Sequence, residues 1–241
     1  MNVSERLIAV SDAEPWRRRL TLPAYQVNEA ARYAGITTQT IRNWQRAEGG
    51  RAGVLARRPK GAALSYLQLV EVAFVSVMRG IGIPLAEIKD TRDYVAQQLQ
   101  SEYPFAQHRF LTDGQNIIME LKEFEPGASP DKLVLVGKGG QLAWKDIIAR
   151  KFAEFDYKQG LAARWHVAGK DSPVIIDPQV AFGAPAVRGV PTWAISGRSN
   201  AGEAIVDIAQ DFMIDPADVE RALAFEGRDR KQLATSRRWK H

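Results

Sequence analysis

The stretch QVNEAARYAGITTQTIRNWQR, residues 26–46, decides the fold of the N-terminal part of the chain. Its first half predicts a helix, because apolar residues recur at i, i+3, i+4 and i+7, namely Val27, Ala30, Ala31 and Ala34. Gly35 follows at the expected helix end, where a left-handed backbone conformation favours glycine. A tight turn is therefore predicted directly after the first helix.

The second half of this stretch predicts another helix, capped by Thr37 and buried through Ile41 and Trp44. Its remaining faces carry polar and basic side chains and no carboxylate: Thr38, Gln39, Arg42, Asn43 and Arg46. Such groups can hydrogen-bond to base edges or phosphates. Two short helices joined at a glycine indicate a DNA-binding helix-turn-helix, and a unit used only for protein contacts is the alternative.

A basic, turn-rich connection follows over residues 51–61, and Arg57, Arg58 and Lys60 are its predicted phosphate contacts. Ser65 and Gln68 form a capping-box pattern that predicts the start of a helix. The apolar face of this helix is predicted at Val70, Ala73, Phe74 and Val77. After Gly80, Gly82 and Pro84 a further helix is predicted, with Leu85, Ile88 and Val95 buried.

Residues 25–100 resemble the MerR-type winged helix-turn-helix. The resemblance lies in the helix-turn-helix over 26–46, a basic wing over 51–61, the Leu64–Tyr66 helix start and the segment GIPLAEIK at 82–89. It implies operator DNA binding by a dimer. The chain departs from that family after about residue 100, where helical periodicity is lost, and it has no cysteine for metal sensing.

Residues 103–170 predict a small mixed region. Strand-like runs occur at 117–119, 133–136 and 142–144, and Ile147, Ile148, Phe152 and Phe155 predict an amphipathic helix. The aromatic residues nearby indicate plain core or, alternatively, a ligand pocket: Trp144, Phe152, Phe155, Tyr157 and Trp165. No catalytic motif or metal-ligand spacing occurs, so we expect no catalytic residues, no metal and no cofactor.

A second informative pattern lies in residues 174–226. Val174–Ile176 and Ala186–Arg188 predict short strands, and Pro191 opens a helix that contains Trp193 and Ile195. After a break at 199–202, an apolar stripe follows on a second helix, made of Ile205, Ile208, Ala209 and Phe212. Asp215 and Pro216 predict the start of a third helix, whose buried residues are Val219, Ala222 and Leu223.

This segment resembles a small domain found beside PIN-domain toxins in bacterial toxin–antitoxin operons. The resemblance lies in DP at 177–178, GAPAVRGVP at 183–191, AGEAI at 201–205 and PADVERAL at 216–223. A DNA-binding helix-turn-helix is the alternative, but residues 202–226 hold seven Asp and Glu against Arg221 alone. Such a segment repels phosphates, so we interpret it as a dimerisation or partner module.

Charge is strongly segregated along the 241 residues. Residues 1–66 carry a net charge of +6, residues 67–227 of −6 and residues 228–241 of +5. Basic ends indicate polyanions or an acidic protein cleft, and solvated surface is the alternative. The tail is too poor in apolar residues to fold alone, and a frayed end is one interpretation. Its residues suited to an acidic cleft are Arg228, Arg230, Lys231, Arg237, Arg238 and Trp239.

Together these features predict an α+β fold, mainly helical, with an N-terminal winged helix-turn-helix, a small mixed central region and a C-terminal three-helix unit with a short β-hairpin. The predicted boundaries are an arm over 1–24, the DNA-binding domain over 25–102, the connecting region over 103–170, the interaction domain over 171–227 and the tail over 228–241. The absence of cysteine, of a long apolar run and of a signal-peptide pattern predicts a cytoplasmic protein that does not enter membranes.

The combined resemblance is to VapB-type antitoxins of bacterial toxin–antitoxin systems. It implies a non-enzymatic protein whose head represses its own operon by binding operator DNA. It also implies a cognate PIN-domain ribonuclease toxin as partner, silenced by the basic tail in its carboxylate cluster, and a homodimer. The alternative is a free-standing MerR-like transcription regulator with a small-molecule-sensing central region.

Overall fold

A computed structural model describes residues 14–46, 53–55, 61–107 and 149–227. The described chain is mainly helical with one small antiparallel sheet, which confirms the predicted α+β class. The chain divides into two compact units, an N-terminal unit over 1–162 and a C-terminal unit over 163–241, which are described separately below.

The N-terminal unit is built around one buried helix. Its helices are α1 Pro15–Thr21, α2 Val27–Tyr33, α3 Thr38–Trp44, α4 Tyr66–Gly80 and α5 Leu85–Leu99, followed by a 3₁₀ turn at Pro104–Ala106. Ten of the 15 residues of α4 are buried, and α1, α2 and α5 all contact it. The burial extends almost all round α4, as expected for a helix at the centre of a small bundle.

The predicted helix starts are confirmed in this unit. The Thr37 side chain accepts a hydrogen bond from the Thr40 amide at 3.1 Å, and Ser65 and Gln68 form the reciprocal capping box. Gly35 has a φ of +67° in the turn between α2 and α3. Helix α5 ends at Leu99, and Gln100 adopts a left-handed conformation, so the predicted loss of helix near residue 100 is confirmed.

An aromatic cluster closes the core of the N-terminal unit. The Phe74 ring centroid lies 4.5 Å from that of Phe152, 5.5 Å from that of Phe155 and 6.3 Å from that of Phe105. Phe152 and Phe155 are therefore plain core. The prediction that Phe155 belongs to a helix was wrong: residues 149–153 are helical, but Phe155 begins strand β1 (Phe155–Lys158). The helix ends at a turn at Glu154. Phe155 is still buried against Phe74, because a strand residue can pack there as readily as a helix residue.

The strands β2 Leu161–Trp165, β3 Val174–Ile176, β4 Pro185–Val187 and β5 Val190–Pro191 continue the sheet in sequence order. Strand β3 pairs antiparallel with β4 through Val174↔Val187 and Ile176↔Pro185. A two-residue turn, Arg188-Gly189, joins β4 to β5, with φ values of +47° and +86°. Positive φ at both central residues is what a type I′ hairpin turn requires. Arg188 therefore lies in the turn, not at the end of a strand as predicted.

Three helices pack on the sheet of the C-terminal unit: α6 Thr192–Asn200, α7 Ile205–Phe212 and α8 Pro216–Phe225. They bury one core with the sheet, and every residue predicted to be buried on α8 lies in it; the core comprises Val174, Val187, Ile195, Ile208, Ala209, Ile214, Val219, Ala222 and Leu223. Ile205 and Phe212 pack against this core while partly exposed. Two of the nine core residues come from the sheet and seven from the helices and the loop between α7 and α8. Burying the inner faces of helices and sheet against each other is the usual way for a small α+β unit to gain stability.

Two local predictions were wrong in this unit. Ser199 and Asn200 belong to α6, and the break comes at Ala201 and Gly202. Asp215 occupies the position that precedes α8, but its side chain makes no capping hydrogen bond. Its carboxylate instead lies 4.0 Å from the Arg188 guanidinium, a competing cation that helix propensity alone does not reveal.

Several predicted features lie outside the described residues. They are the wing cations Arg57, Arg58 and Lys60, the strand-like runs at 117–119, 133–136 and 142–144, Trp144, Ile147, Ile148, and the tail residues Arg228, Arg230, Lys231, Arg237, Arg238 and Trp239. Among the described residues, none of the helices has the length and apolar character to cross a lipid bilayer.

Candidate nucleic-acid interface and the C-terminal module

Helices α2 and α3 are held together by backbone contacts at the glycine turn. The Ile36 amide donates to the Ala31 carbonyl at 2.9 Å, which closes the C-terminal end of α2. The Ala34 carbonyl, which has no partner within the helix, accepts a hydrogen bond from the Ser76 hydroxyl of α4 at 2.9 Å. The turn is therefore tied to the central helix, and α3 has a defined direction.

The exposed face of helix α3 carries neutral polar and basic side chains. Ile41 and Trp44 are buried on one side, whereas Gln39, Arg42 and Asn43 are exposed. Thr38 is half-buried, and Arg46, just after the helix, is exposed. The structure thus brings the five predicted base- and phosphate-contacting residues onto one short element.

One hydrogen bond organises the exposed face. The Gln39 Nε2 donates to the Asn43 Oδ1 at 2.8 Å, one helical turn away. Each side chain keeps a free amide edge, because the pair uses one donor of Gln39 and one acceptor of Asn43. Both residues are therefore oriented and still able to contact a ligand.

The arginines of the N-terminal unit fall into two groups. Arg92 pairs with Glu71, and Arg79 donates to the Ile83 carbonyl at 2.6 Å. Arg42 and Arg46, in contrast, contact no carboxylate among the residues that the structure describes. Arg18 and Arg19 on α1 are likewise exposed and contact no carboxylate among the described residues. A cation with no internal ion pair breaks none when it contacts a phosphate, so Arg42 and Arg46 are among the cations available for such contacts.

The base of the predicted wing is fixed at both ends. Within its first half, the Leu55 amide donates to the Trp44 carbonyl at 3.1 Å, and Val54 and Leu55 are buried. After it, Leu64 pairs with Tyr25 in an antiparallel bridge, with hydrogen bonds of 2.9 and 2.7 Å. The chain is therefore anchored to the end of α3 at Leu55 and to the residue just before α2 at Leu64.

Gly53 is required at the first of these anchors. A Cβ atom there would lie 2.4 Å from the Trp44 carbonyl oxygen and 2.7 Å from the Gln45 carbonyl carbon. Both atoms belong to the backbone and cannot move away as a side chain would. The close approach of residue 53 to the end of α3 is thus possible only for glycine.

Glu71 is a buried carboxylate that the sequence analysis missed. It is 2% exposed, and its two oxygens accept hydrogen bonds from Arg92 at 2.7 Å and from the Phe105 amide at 2.8 Å. Burial raises the pKa of Glu71, while Arg92 and the backbone amides oppose that rise. Arg92 also donates to the Glu102 carbonyl, so the cluster joins α4, α5 and the following turn. Its role is structural.

A small cavity and a shallow surface depression lie among the described residues. The cavity next to Glu71 and Arg92 has a volume of about 10 Å³, room for one water at most. A shallow surface depression of about 440 Å³ is lined by Val77, Arg150, Lys151 and Glu154. No group of three or more potential metal ligands occurs among the described residues.

In the C-terminal unit, Arg198 and Arg188 are both paired with carboxylates of the same unit. Arg198 donates to Glu203 and, at 2.6 Å, to Asp211, and its guanidinium carbon lies 5.2 Å from the centre of the Phe212 ring. The two carboxylates raise the pKa of Arg198. Arg188 pairs with Asp218 at 2.8 Å. Residues 202–226 hold seven Asp and Glu against Arg221 alone, so this segment keeps a surplus of carboxylates after these pairs are formed.

Comparisons with known proteins found similarity over most of the chain. Residues 174–225 match the family model described as "Protein of unknown function (DUF433)". The chain is 24% identical over 226 residues to "Putative antitoxin VapB45" of Mycobacterium tuberculosis (strain ATCC 25618 / H37Rv), covering 85% of this chain and 94% of that protein. A crystal structure of Rv2018 from Mycobacterium tuberculosis matches with 24% identity and a TM-score of 0.70, covering 85% and 99% of the two chains. The predicted resemblance to a VapB-type antitoxin is confirmed.

Proposed function

We propose that the chain is an antitoxin that represses its own operon through α3 and binds a PIN-domain ribonuclease toxin through its C-terminal part. The observation that carries this proposal is the similarity to a protein named as a VapB antitoxin, which extends over 85% of the chain. This similarity covers far more than the 52 residues of the matched family model. It therefore supports an antitoxin that includes both the N-terminal unit and the C-terminal unit.

The proposed DNA contacts divide into two classes. Arg42, Asn43, Gln39 and Thr38 contact base edges in the major groove, because they occupy the exposed face of a helix narrow enough to enter it. Arg46 and the wing residues Arg57, Arg58 and Lys60 contact phosphates. A homodimer would present two such helices to an operator with repeated half-sites.

The proposed toxin contact is electrostatic. PIN-type ribonucleases hold metal ions in a cluster of carboxylates, according to the resemblance stated above. The tail residues Arg228, Arg230, Lys231, Arg237 and Arg238 would neutralise that cluster, with Trp239 as an apolar anchor. The protein thus acts by binding rather than by catalysis and needs no cofactor. Nothing in the described residues favours the alternative of a small-molecule-sensing regulator.

The DNA-binding part is tested by substituting one exposed arginine and comparing it with another. Arg42→Ala should weaken binding to a duplex taken from directly upstream of the chain's own gene by about 1–3 kcal/mol, and it should relax base specificity. Arg79→Ala is the matched control, because Arg79 is also exposed but already bonded to the Ile83 carbonyl. Both variants are measured by fluorescence anisotropy at fixed salt.

Equal affinities for Arg42→Ala and Arg79→Ala would exclude α3 as the recognition helix. Loss of binding only in a wing variant, such as Arg58→Ala, would move recognition to the wing. A parallel series at rising salt separates the two classes, because each lost phosphate contact lowers the slope of log K against log salt by about 0.9.

A further inference from the structure

Helix α1 of the N-terminal unit carries three consecutive arginines, Arg17, Arg18 and Arg19. Its apolar side is formed by Trp16 and Leu20, which are buried, and the helix packs against α4. Arg18 and Arg19 lie away from that side and are exposed, whereas Arg17 is half-buried. The arginines are therefore displayed on a helix whose position is fixed by its packing on the central helix.

The turn between β1 and β2 contacts α1 directly. Gln159 Oε1 accepts hydrogen bonds from Arg17 Nε at 3.2 Å and from Arg17 Nη2 at 2.5 Å, and Gln159 Nε2 donates to Glu14 Oε1 at 2.9 Å. The Lys158 ammonium lies 4.7 Å from the centre of the Trp16 ring, and the Arg17 guanidinium carbon lies 5.4 Å from it. Both cations are thus held against one buried ring, so α1 and this turn form one contiguous surface.

The cations gathered at this place outnumber the carboxylates. We name the four cations the α1 surface: Arg17, Arg18, Arg19 and Lys158. Glu14 lies beside them, and hydrogen bonds, the strongest from the Trp16 indole, lower its pKa, so it is ionised at neutral pH. Counting Glu14 and the half-buried Asp156 of β1 against the four cations leaves a net charge of +2. Because Arg18 and Arg19 contact no carboxylate among the described residues, an external anion would break no ion pair there.

The end of α1 is tied to the elements that carry the proposed DNA contacts. The Ala24 and Tyr25 amides both donate to the Leu64 carbonyl at 2.9 Å. Leu64 and Gln45, the residue after α3, line the same small cavity. Tyr25 follows Thr21, the last residue of α1, by four residues, a span of at most about 14 Å. The end of α1 therefore lies within one helical repeat of B-DNA, about 34 Å, of the end of α3.

We propose that the α1 surface binds the phosphate backbone of the DNA duplex whose bases α3 contacts. The inference rests on the proposed function and deepens it, since α1 lies outside the DNA-binding domain predicted over residues 25–102. Duplex DNA carries one negative charge per about 1.7 Å of its axis, so a net-positive surface on the same unit as α3 gains affinity through counterion release. The guanidinium fork of arginine matches the geometry of a phosphate group. Such contacts add affinity and carry no base specificity.

The test compares full-length chains on a duplex taken from directly upstream of the chain's own gene and on a scrambled duplex of the same length and composition. Arg18→Ala combined with Arg19→Ala should lower the slope of log K against log salt by about 1.8 and weaken binding about tenfold at about 0.1 M salt. The loss should be equal on both duplexes, because phosphate contacts do not read the sequence. Both positions are exposed and alanine favours helices, so α1 should keep its structure.

Two further variants separate the contact from general effects of charge. Arg18→Lys combined with Arg19→Lys keeps both charges and should retain the salt slope, because the number of neutralised phosphates sets that slope. Lys170→Ala combined with Arg221→Ala is the matched control, since it removes two exposed cations from the C-terminal unit. This control should bind both duplexes with the slope and affinity of the unchanged chain.

A slope and affinity for the Arg18→Ala, Arg19→Ala chain equal to those of the matched control would overturn the proposal. Unchanged DNA binding by that chain together with lost association with the cognate toxin would also overturn it and assign the α1 surface to an acidic protein face. Arg42→Ala on the same duplexes keeps the two proposals apart: weakening by Arg42→Ala alone would reject the α1 contact and leave the proposed function standing. A chain that binds neither duplex would reject both.

Discussion

At the scale of single residues, the least predictable feature is the buried Glu71. Its neighbours on α4 form an apolar run, and an isolated carboxylate in such a run gives no sign of its partner 21 residues later. The structure supplies that partner, Arg92, and also the Phe105 amide. The pairing depends on how α4, α5 and the turn pack together, which sequence periodicity does not encode.

Glu71→Ala should therefore destabilise the N-terminal unit by about 3 kcal/mol, because Arg92 and the Phe105 amide would both lose a buried acceptor. Urea unfolding followed by circular dichroism measures the loss. Asp93→Ala is the control: Asp93 also lies within 4 Å of Arg92, but it is 46% exposed and should contribute about 0–1 kcal/mol. Similar losses in the two variants would contradict the structural role given to Glu71.

At the scale of elements, the helix starts were predictable because they depend on local chemistry. Thr37 and Ser65 act on amides three residues away, so their patterns are visible in the sequence. Asp215 has the same pattern but turns toward Arg188, 27 residues earlier in the chain. Phe155 also kept the helical period but lies in a strand. Local rules fail where a distant partner competes for the same side chain.

The anchor between residue 53 and the end of α3 yields a second stability prediction. Gly53→Ala should cost about 1–3 kcal/mol, because its Cβ would press on the backbone of Trp44 and Gln45. Gly80→Ala is the matched control, since a Cβ there meets nothing within 4 Å at the end of α4. Thermal unfolding should show a lower midpoint only for Gly53→Ala. An unchanged midpoint would mean that residues 53–55 do not pack on α3 in solution.

At the scale of the whole molecule, the segregation of charge along the chain was predictable from the sequence. The structure adds which of the described cations are paired with carboxylates. Exposed arginines without a carboxylate partner among the described residues include Arg18 and Arg19 on α1 as well as Arg42 and Arg46 on and after α3. In the C-terminal unit, Arg188 and Arg198 form ion pairs with carboxylates. The net charge of each segment was predictable by counting, but which cations remain available depends on three-dimensional pairing.

Deleting residues 228–241 tests the proposal that the basic tail inhibits the toxin. If the tail occupies the carboxylate cluster of the toxin, the truncated chain should no longer inhibit ribonuclease activity in a mixture with its cognate toxin. Operator binding by the head should stay within about twofold, because α3 and its anchors are untouched. Cleavage of a labelled RNA and anisotropy of labelled operator DNA, measured on the same preparation, separate these two effects.

The competing arrangement has the tail gripping DNA beside the head, and it gives the opposite pair of results. Six cations leaving the phosphates would lower DNA affinity and reduce the slope of log K against log salt by up to about 5, while the toxin would remain inhibited. Inhibition that survives truncation with unchanged DNA binding would exclude both roles for the tail. The inhibitory surface would then lie on the acidic helices of the C-terminal unit or in the middle region of the chain, residues 103–170.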